Sequence, residues 1–321
     1  MRAIRPKAPG TADVLTLTDV ELAPPGPGQA QVAVTFAGVN FIDVYHRTGQ
    51  YPLPAPLPLG REGAGVVTAV GPGVALALGA RVAWCDVGGS YAEAIVAPAD
   101  KLVPVPDGVG LDVAAAVMLQ GLTAHYLATS TYALTTGSRC LIHAAAGGVG
   151  LILCQLARAA GADVLGTVSS DAKAALAAAA GCAHPIRYDR DDVVAAVRAL
   201  HPGGVDVVYD SVGKTTFDAS LDCLRPRGLL ALFGQSSGAV PPIDLQVLSR
   251  KGALVVTRPT LGHHVATRAE LDARCADLFA RIASGALAVR IDRVVPLADA
   301  AAAHHALEAR ATSGKVLLAV A

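Results

Sequence analysis

The sequence has no clustered cysteines. Its six, Cys85, Cys140, Cys154, Cys182, Cys223 and Cys275, lie at least fourteen positions apart. That excludes a CxxC pair, a zinc-ribbon spacing and a dense disulfide framework. Cys140 and Cys154 stand in apolar runs and read as buried thiols. Among the nine histidines there is no HExxH or HxxxH spacing. The adjacent pairs His263-His264 and His304-His305 put neighbours on different helix faces, so neither makes a bidentate metal site. No uninterrupted apolar run approaches the roughly 20 residues of a membrane span. The start, Met1-Arg2-Ala3-Ile4-Arg5-Pro6, lacks the apolar core of a signal peptide. A soluble, cytoplasmic protein is expected, with no membrane partner. An excess of one charge is missing too: Lys plus Arg and Asp plus Glu number 26 each. Nucleic acid therefore has no global electrostatic claim as a partner.

What is present divides by texture. A chain of 321 residues exceeds what one core comfortably supports, so two domains are the natural expectation. Short strand candidates separated by Gly and Pro fill the first third: 31–37, 65–71, 81–84 and 91–96. Such spacing suggests a partly closed barrel. The proline-alternating stretch 50–58 reads as a stiff loop, and Asp112 as the cap of a helix over 113–119. From about residue 120 helix and strand alternate, with strands at 140–142, 163–168, 184–188, 205–210, 228–234 and 253–257. This pattern argues for a doubly wound parallel sheet. An alanine-rich helix over 173–180 ends at Gly181, a candidate left-handed cap. The tail changes again: a long amphipathic helix at 268–284, a strand at 290–295, a helix at 300–308 and a strand at 315–320.

The stretch His143-Ala144-Ala145-Ala146-Gly147-Gly148-Val149-Gly150 joins the first of those alternating strands to a helix. Ala144, Gly147 and Gly150 occupy the three small-residue positions of a dinucleotide fingerprint. There the missing side chains admit a pyrophosphate to backbone amides at a helix amino terminus. An NAD site usually places Asp or Glu at the end of the second strand, where this chain has Ser169-Ser170. Lys173 beside small hydroxyls suits a 2′-phosphate, and Tyr188 could flank it, so NADPH is the expected cofactor. Asp171, one step into the next turn, is the residue that argues the other way.

Several further motifs, in order, extend this reading over essentially the whole length: 38–45, 49–52, 60–65, 121–124, 143–150, 208–213, 233–238 and 256–259. Through them the chain resembles the zinc-independent quinone oxidoreductases of the medium-chain dehydrogenase/reductase superfamily, the zeta-crystallin-like group. The resemblance implies an α/β fold: a Rossmann doubly wound sheet over 120–259, and a GroES-like β-rich domain formed by both chain ends, 1–119 and 260–321. It further implies a cofactor cleft between the domains. Ala146, Gly147, Gly148 and Val149 would carry the pyrophosphate, Ser170, Lys173 and Tyr188 the adenosine end. Thr123 would lie near the phosphates or the nicotinamide ribose. Ser211, Phe233, Ser236 and Ser237 would line the nicotinamide side, with Arg258 and Lys315 closing over the cofactor. Asn40, Tyr45 and Tyr51 would form the catalytic pocket.

Zinc-dependent relatives carry cysteine and histidine where this chain has Asn40 and Gly60-Arg61-Glu62, so no metal site is expected. Many relatives have lysine before Gly-Leu-Thr; Gln120 stands here, which implies somewhat weaker NADPH binding. The implied activity is reduction of a quinone by NADPH, in a homodimer paired through the Rossmann sheet edge. A quinone gains aromaticity on reduction and needs no Lewis acid, so the protein's task is positioning. The alternatives are an NADPH-dependent reductase of activated alkenes (enone, enal or enoyl thioester) and, from another class, a crystallin-like RNA-binding protein.

Overall fold

In the computed structural model, which describes residues 1–320, the chain begins with a two-stranded antiparallel ribbon, β1 (Arg2–Ile4) and β2 (Leu17–Asp19). Strand β3 (Gln29–Val39) follows; Ala30, Val32 and Val34 are buried at every second position, the period a sheet with one inward face imposes. A helix, α1 (Phe41–Arg47), comes directly after it. Its aromatic and β-branched residues have little helical preference. Asp43, in the first turn, nevertheless accepts the Asn40 main-chain N–H at 2.9 Å and fixes the helix start. Then come β4 (Glu62–Val70), β5 (Arg81–Cys85), β6 (Ala94–Pro98) and the short β7 (Val103–Pro104).

The helix expected at 113–119 is longer. It runs as α2 over Leu111–Tyr126 and continues through a π turn, Leu127–Thr131. Asp112 therefore lies inside the first turn and does not cap it. This 21-residue helix is long and apolar enough to cross a membrane by length and composition, and 67% of its most apolar 18-residue window is buried, as in a core helix of a folded protein.

Alternating elements follow: β8 (Arg139–Ile142), α3 (Gly148–Ala159), β9 (Asp163–Val168), α4 (Asp171–Ala179), β10 (His184–Arg187), α5 (Val193–Leu200) and β11 (Val205–Asp210). After them come α6 (Phe217–Cys223), β12 (Leu224–Leu232), α7 (Gln246–Arg250) and β13 (Val255–Thr257). The six strands are parallel and ordered β10-β9-β8-β11-β12-β13. Strand order reverses between β8 and β11, the switch point at which such sheets bind ligands. Their buried faces read as continuous apolar runs because helices cover both sides. Gly181, at φ +105°, closes the turn after α4.

After a short helix, α8 (Leu261–His264), the chain forms α9 (Arg268–Ala283), opened by a Thr267–Glu270 capping box. Strand β14 (Ile291–Pro296), α10 (Ala300–Glu308) and β15 (Lys315–Ala319) complete it. β15 pairs antiparallel with β3, giving a sheet ordered β14-β15-β3-β4-β5-β7, with β6 on the other stretch of β3. Its core includes Val32, Val67, Trp84, Tyr91, Leu102 and Leu318. Backbone contacts divide the molecule into two units, Met1–Leu122 with the chain from Val265 onward, and Thr123–His264.

Candidate functional site

In the parallel-sheet unit, the loop after β8 turns sharply. Ala144 has φ +54°, a left-handed conformation that a small side chain tolerates at some cost. A Cβ on Gly150 would stand 2.4 Å from the Ala144 carbonyl oxygen and 2.7 Å from that of Ala145. One on Gly166 of β9 would stand 2.6 Å from the Ala145 methyl. Loop and helix therefore touch through backbone, loop and strand through the Ala145 methyl, and only hydrogen fits at these two positions. Gly147 is the N-cap of α3 and supplies no capping side chain, so the first-turn amides remain suited to an anion. Ala146 is buried, while Gly147, Gly148 and Val149 are half-buried.

The residues expected at the adenosine end sit at the carboxyl ends of adjacent strands. Ser170 caps α4 by accepting the Lys173 N–H at 3.2 Å. Tyr188, exposed just after β10, donates its main-chain N–H to Val168 O at 3.3 Å. Asp171, the residue against a 2′-phosphate, is not a bare charge. Arg187 donates to one of its oxygens and Arg190 to the other, the latter at 3.3 Å. Arg187 also holds Asp189 through Nε at 2.8 Å and Nη2 at 2.7 Å. The Arg187 hydrogen bond keeps the Asp171 carboxyl below its ordinary range, so it stays ionised with its field answered by cations. Only the pairing of β9 with β10 brings Arg187 to Asp171, a relation the sequence does not display.

Ser211, Phe233, Ser236 and Ser237 gather beyond β11 and β12. Phe233 N–H donates to Asp210 O at 2.8 Å, Ser236 N–H to Ser211 O at 3.2 Å, and the Ser237 hydroxyl to Val212 O at 2.7 Å. Arg258, after β13, donates to Leu232 O at 3.0 Å. Thr123 is buried on α2.

In the β-rich unit, three neighbouring strands converge on a buried polar cluster. Asn40 directly follows β3 as the N-cap of α1, Glu62 begins β4 and Lys315 begins β15. Lys315 and Glu62 are fully buried and ion-paired. Lys315 Nζ also donates to Asn40 Oδ1 at 2.9 Å, and Gln120 Nε2 donates to the same oxygen at 3.1 Å. Asn40 Nδ2 donates to Glu62 Oε1 at 2.6 Å, and Leu119 N–H to Glu62 Oε2 at 2.6 Å. An ammonium and a carboxylate on either side leave the Asn40 amide one orientation. The cluster takes one of its two Nδ2 hydrogens. A Cβ on Gly38 would stand 2.3 Å from Glu62 Oε1, so glycine there makes room for the carboxylate. Lys315, expected over the cofactor, has its ammonium wholly inside this cluster. Glu62, which accepts from Lys315, Asn40 and Leu119, was not among the expected site residues.

Tyr45 and Tyr51 meet edge to face, with ring centroids 5.2 Å apart, and Tyr51 N–H donates to Tyr45 O at 3.0 Å. A second buried chain lies along α1. Tyr91 donates its hydroxyl to Asp43 Oδ2 at 3.0 Å and bonds His304 Nε2 at 3.1 Å. Burial raises the Asp43 carboxyl to about 7, against opposing hydrogen bonds from Asn40 and Tyr91. Burial, with Arg47 nearby, lowers His304 to about 3.

A parallel sheet with a glycine loop at its switch point, together with this β-rich unit, defines the two-part fold of a medium-chain dehydrogenase/reductase. Residues 26–107 match the family described as alcohol dehydrogenase GroES-like domain, and residues 148–279 the family described as zinc-binding dehydrogenase. A quinone oxidoreductase of Pseudomonas aeruginosa is 47% identical over 313 residues, 96% of each chain. A 2-haloacrylate reductase of a Burkholderia species is 43% identical, again over 96% of each chain. The structure of Escherichia coli quinone oxidoreductase complexed with NADPH superposes with a TM-score of 0.98, at 42% identity and full coverage of both chains. The chain belongs to the quinone oxidoreductase family of that superfamily.

The zinc in the second family's description finds no fitting donors. Among the described residues no group of three or more His, Cys, Asp or Glu side chains could hold one ion. Glu62 is already engaged by an ammonium, the Asn40 amide and a main-chain N–H.

Proposed function

We propose that this chain is an NADPH-dependent quinone oxidoreductase that works without a metal ion. One observation carries the reading: a dinucleotide loop packed through glycine at the switch point of a parallel sheet, in a chain 47% identical to a quinone oxidoreductase over 96% of its length. NADPH, when bound, supplies the hydride. Ala146, Gly147, Gly148 and Val149 hold the pyrophosphate on backbone amides. Ser170, Lys173 and Tyr188 take the 2′-phosphate, while Arg187 and Arg190 keep the Asp171 carboxylate from repelling it. Thr123, Ser211, Phe233, Ser236, Ser237 and Arg258 serve the nicotinamide half.

The protein's own contribution to the reaction is orientation and exclusion of water. Lys315, Glu62 and Gln120 hold the Asn40 amide so that a remaining N–H can meet a quinone oxygen. Tyr51 offers a second donor, and Tyr45 packs against it. A quinone is electrophilic enough to accept hydride against such neutral donors, so the missing zinc ligands do not prevent turnover. The six free thiols suit a reducing, cytoplasmic setting. Pairing of β13 edges across a two-fold would cover Val255, 49% exposed on that strand, and make a homodimer.

A second reading is favoured by the Burkholderia relative: reduction of an activated alkene. Anaerobic NADPH oxidation with naphthoquinone, and separately with 2-chloroacrylate, decides between them. Quinone turnover at background rate would sink the first reading, and NADPH consumption with the haloacrylate alone would establish the second. A monomer by light scattering at micromolar concentration would refute the dimer.

A further inference from the structure

Beneath the dinucleotide loop of the parallel-sheet unit runs a buried line of polar side chains that the functional reading does not use. Asp210, at the end of β11, accepts four hydrogen bonds. Oδ1 takes the N–H groups of Val212 at 2.7 Å and Gly213 at 3.0 Å; Oδ2 takes the hydroxyls of Thr216 at 2.7 Å and Ser220 at 2.9 Å. Ser220 Oγ lies 3.0 Å from His143 Nε2, and His143 Nδ1 lies 3.0 Å from Thr167 Oγ1. Thr167 Oγ1 in turn accepts the main-chain N–H of Ala144 at 3.2 Å. Thr167 and His143 are at most 3% exposed, Ser220 and Asp210 wholly buried.

Donor counting fixes every proton in this line. A carboxylate only accepts, so the single Ser220 proton goes to Asp210. Ser220 Oγ can then only accept from His143, which puts the imidazole hydrogen on Nε2. Burial lowers the His143 pKa and keeps the ring neutral, so Nδ1 is a lone pair and the Thr167 hydroxyl donates to it. Thr167 is left to accept from Ala144. The order is histidine, serine, aspartate with the serine in the middle, so Ser220 is not a nucleophile activated by a base. The line is a one-way chain of hydrogen bonds between two loops.

Those loops are the ones that matter. At one end is Ala144, held at φ +54°, where the backbone turns into the phosphate loop. At the other are Val212 and Gly213, in the turn that carries Ser211 and receives Ser236 and Ser237. We propose that His143, Ser220 and Thr167 are positioning residues for the dinucleotide, holding the phosphate loop and the nicotinamide-side turn in one fixed register through Asp210. The proposal rests on the reading that this unit binds NADPH. A wild-type protein that failed to bind NADPH would remove that reading, a result distinct from those below.

The test uses the whole chain with Ser220→Ala and the nearly isosteric Thr167→Val, each of which cuts the line at a different bond. Thr167→Ser restores the hydroxyl, and Leu221→Ala, in the apolar core beside Ser220, serves as a control for stability alone. Loss of either hydroxyl is expected to raise the NADPH Kd and KM about tenfold, with kcat at saturating NADPH nearly unchanged. Thr167→Ser returns Kd to near wild type, whereas Leu221→Ala lowers Tm and leaves Kd alone. Nitrogen-15 NMR of the wild type should show His143 as the Nε2–H tautomer. Unchanged Kd in both line-cutting variants, equal weakening in Leu221→Ala, or a hydrogen on Nδ1 of His143 would each overturn the proposal.

Discussion

Asp43 and His304 make opposite and nearly equal demands on protons, so the pair together adds no pH slope to stability, for a reason mutation can expose. In the folded chain Asp43 keeps its proton up to about pH 7, and His304 refuses one down to about pH 3. Their ordinary values are 3.8 and 6.5. Between the two ordinary values, the folded pair carries one proton, on Asp43, and the unfolded pair carries one, on His304. Equal proton counts give no slope. Asp43→Asn leaves His304 alone. Its lowered pKa favours folding above the unfolded value, and this stability is lost as pH falls below about 6.5. His304→Gln leaves Asp43 alone. Its raised pKa favours folding below the unfolded value, and that stability is lost as pH rises toward about 7. Each variant should differ from wild type by a slope of up to about 1.4 kcal/mol per pH unit, or at most ~3 kcal/mol across the window. Urea unfolding at about pH 4.5, 5.5 and 6.5 reads the slopes against wild type, which cancels the shared background of surface carboxylates. Two variants with slopes parallel to wild type, or with slopes of the same sign, would refute the reasoning.

Lys315→Met strands the Glu62 carboxylate and should cost about 3–5 kcal/mol in chemical unfolding; adding Glu62→Gln should recover much of the loss. Additive losses in the double variant would show that the two side chains do not act as a pair. The resemblance implied weaker NADPH binding from Gln120, but Gln120→Lys would bring a second ammonium to the oxygen that already accepts from Lys315, so it should lower Tm without tightening NADPH binding in a fluorescence titration. Gly150→Ala forces a methyl against two carbonyl oxygens and should destabilise the fold by roughly 1–3 kcal/mol while weakening NADPH binding. Wild-type affinity in that variant would contradict the tight packing. Arg187→Ala releases Asp171 toward the adenosine end, so the NADPH-to-NADH affinity ratio should fall several-fold, more at low salt than high. An unchanged ratio would remove Asp171 from cofactor choice.

What could be read from the sequence was local. The loop from His143 to Gly150 is legible because its chemistry lies in consecutive residues flanked by a strand and a helix. The alternating strands were legible for the same reason, to within a few residues at their ends. α1 was not: Phe41-Ile42-Asp43-Val44-Tyr45 looks like a strand by residue preference, and the Asp43 bond to the Asn40 N–H makes it helical. Arg187 was out of reach because strand pairing, and not spacing, carries it to Asp171. His143 and Asp210 lay inside recognisable motifs, yet Ser220 and Thr167, which link them, belong to none. Glu62 gave no signal as the centre of a cluster, since its counter-charge is 253 positions away.

That distance has a consequence for how the β-rich unit is assembled. Lys315 and Asn40, 275 positions apart, meet because β15 lies against β3. The whole parallel-sheet unit is threaded into the interval. Its own contacts are all made within one continuous stretch, so it can form early, while the unit around it waits for a distant strand to close its sheet. In that waiting interval β3 lacks its β15 partner, and Glu62 lacks its cation. The cluster that orients Asn40 is thus complete only when the two ends of the unit have found each other, and the amide proposed to meet a quinone oxygen is set in place by that same closure.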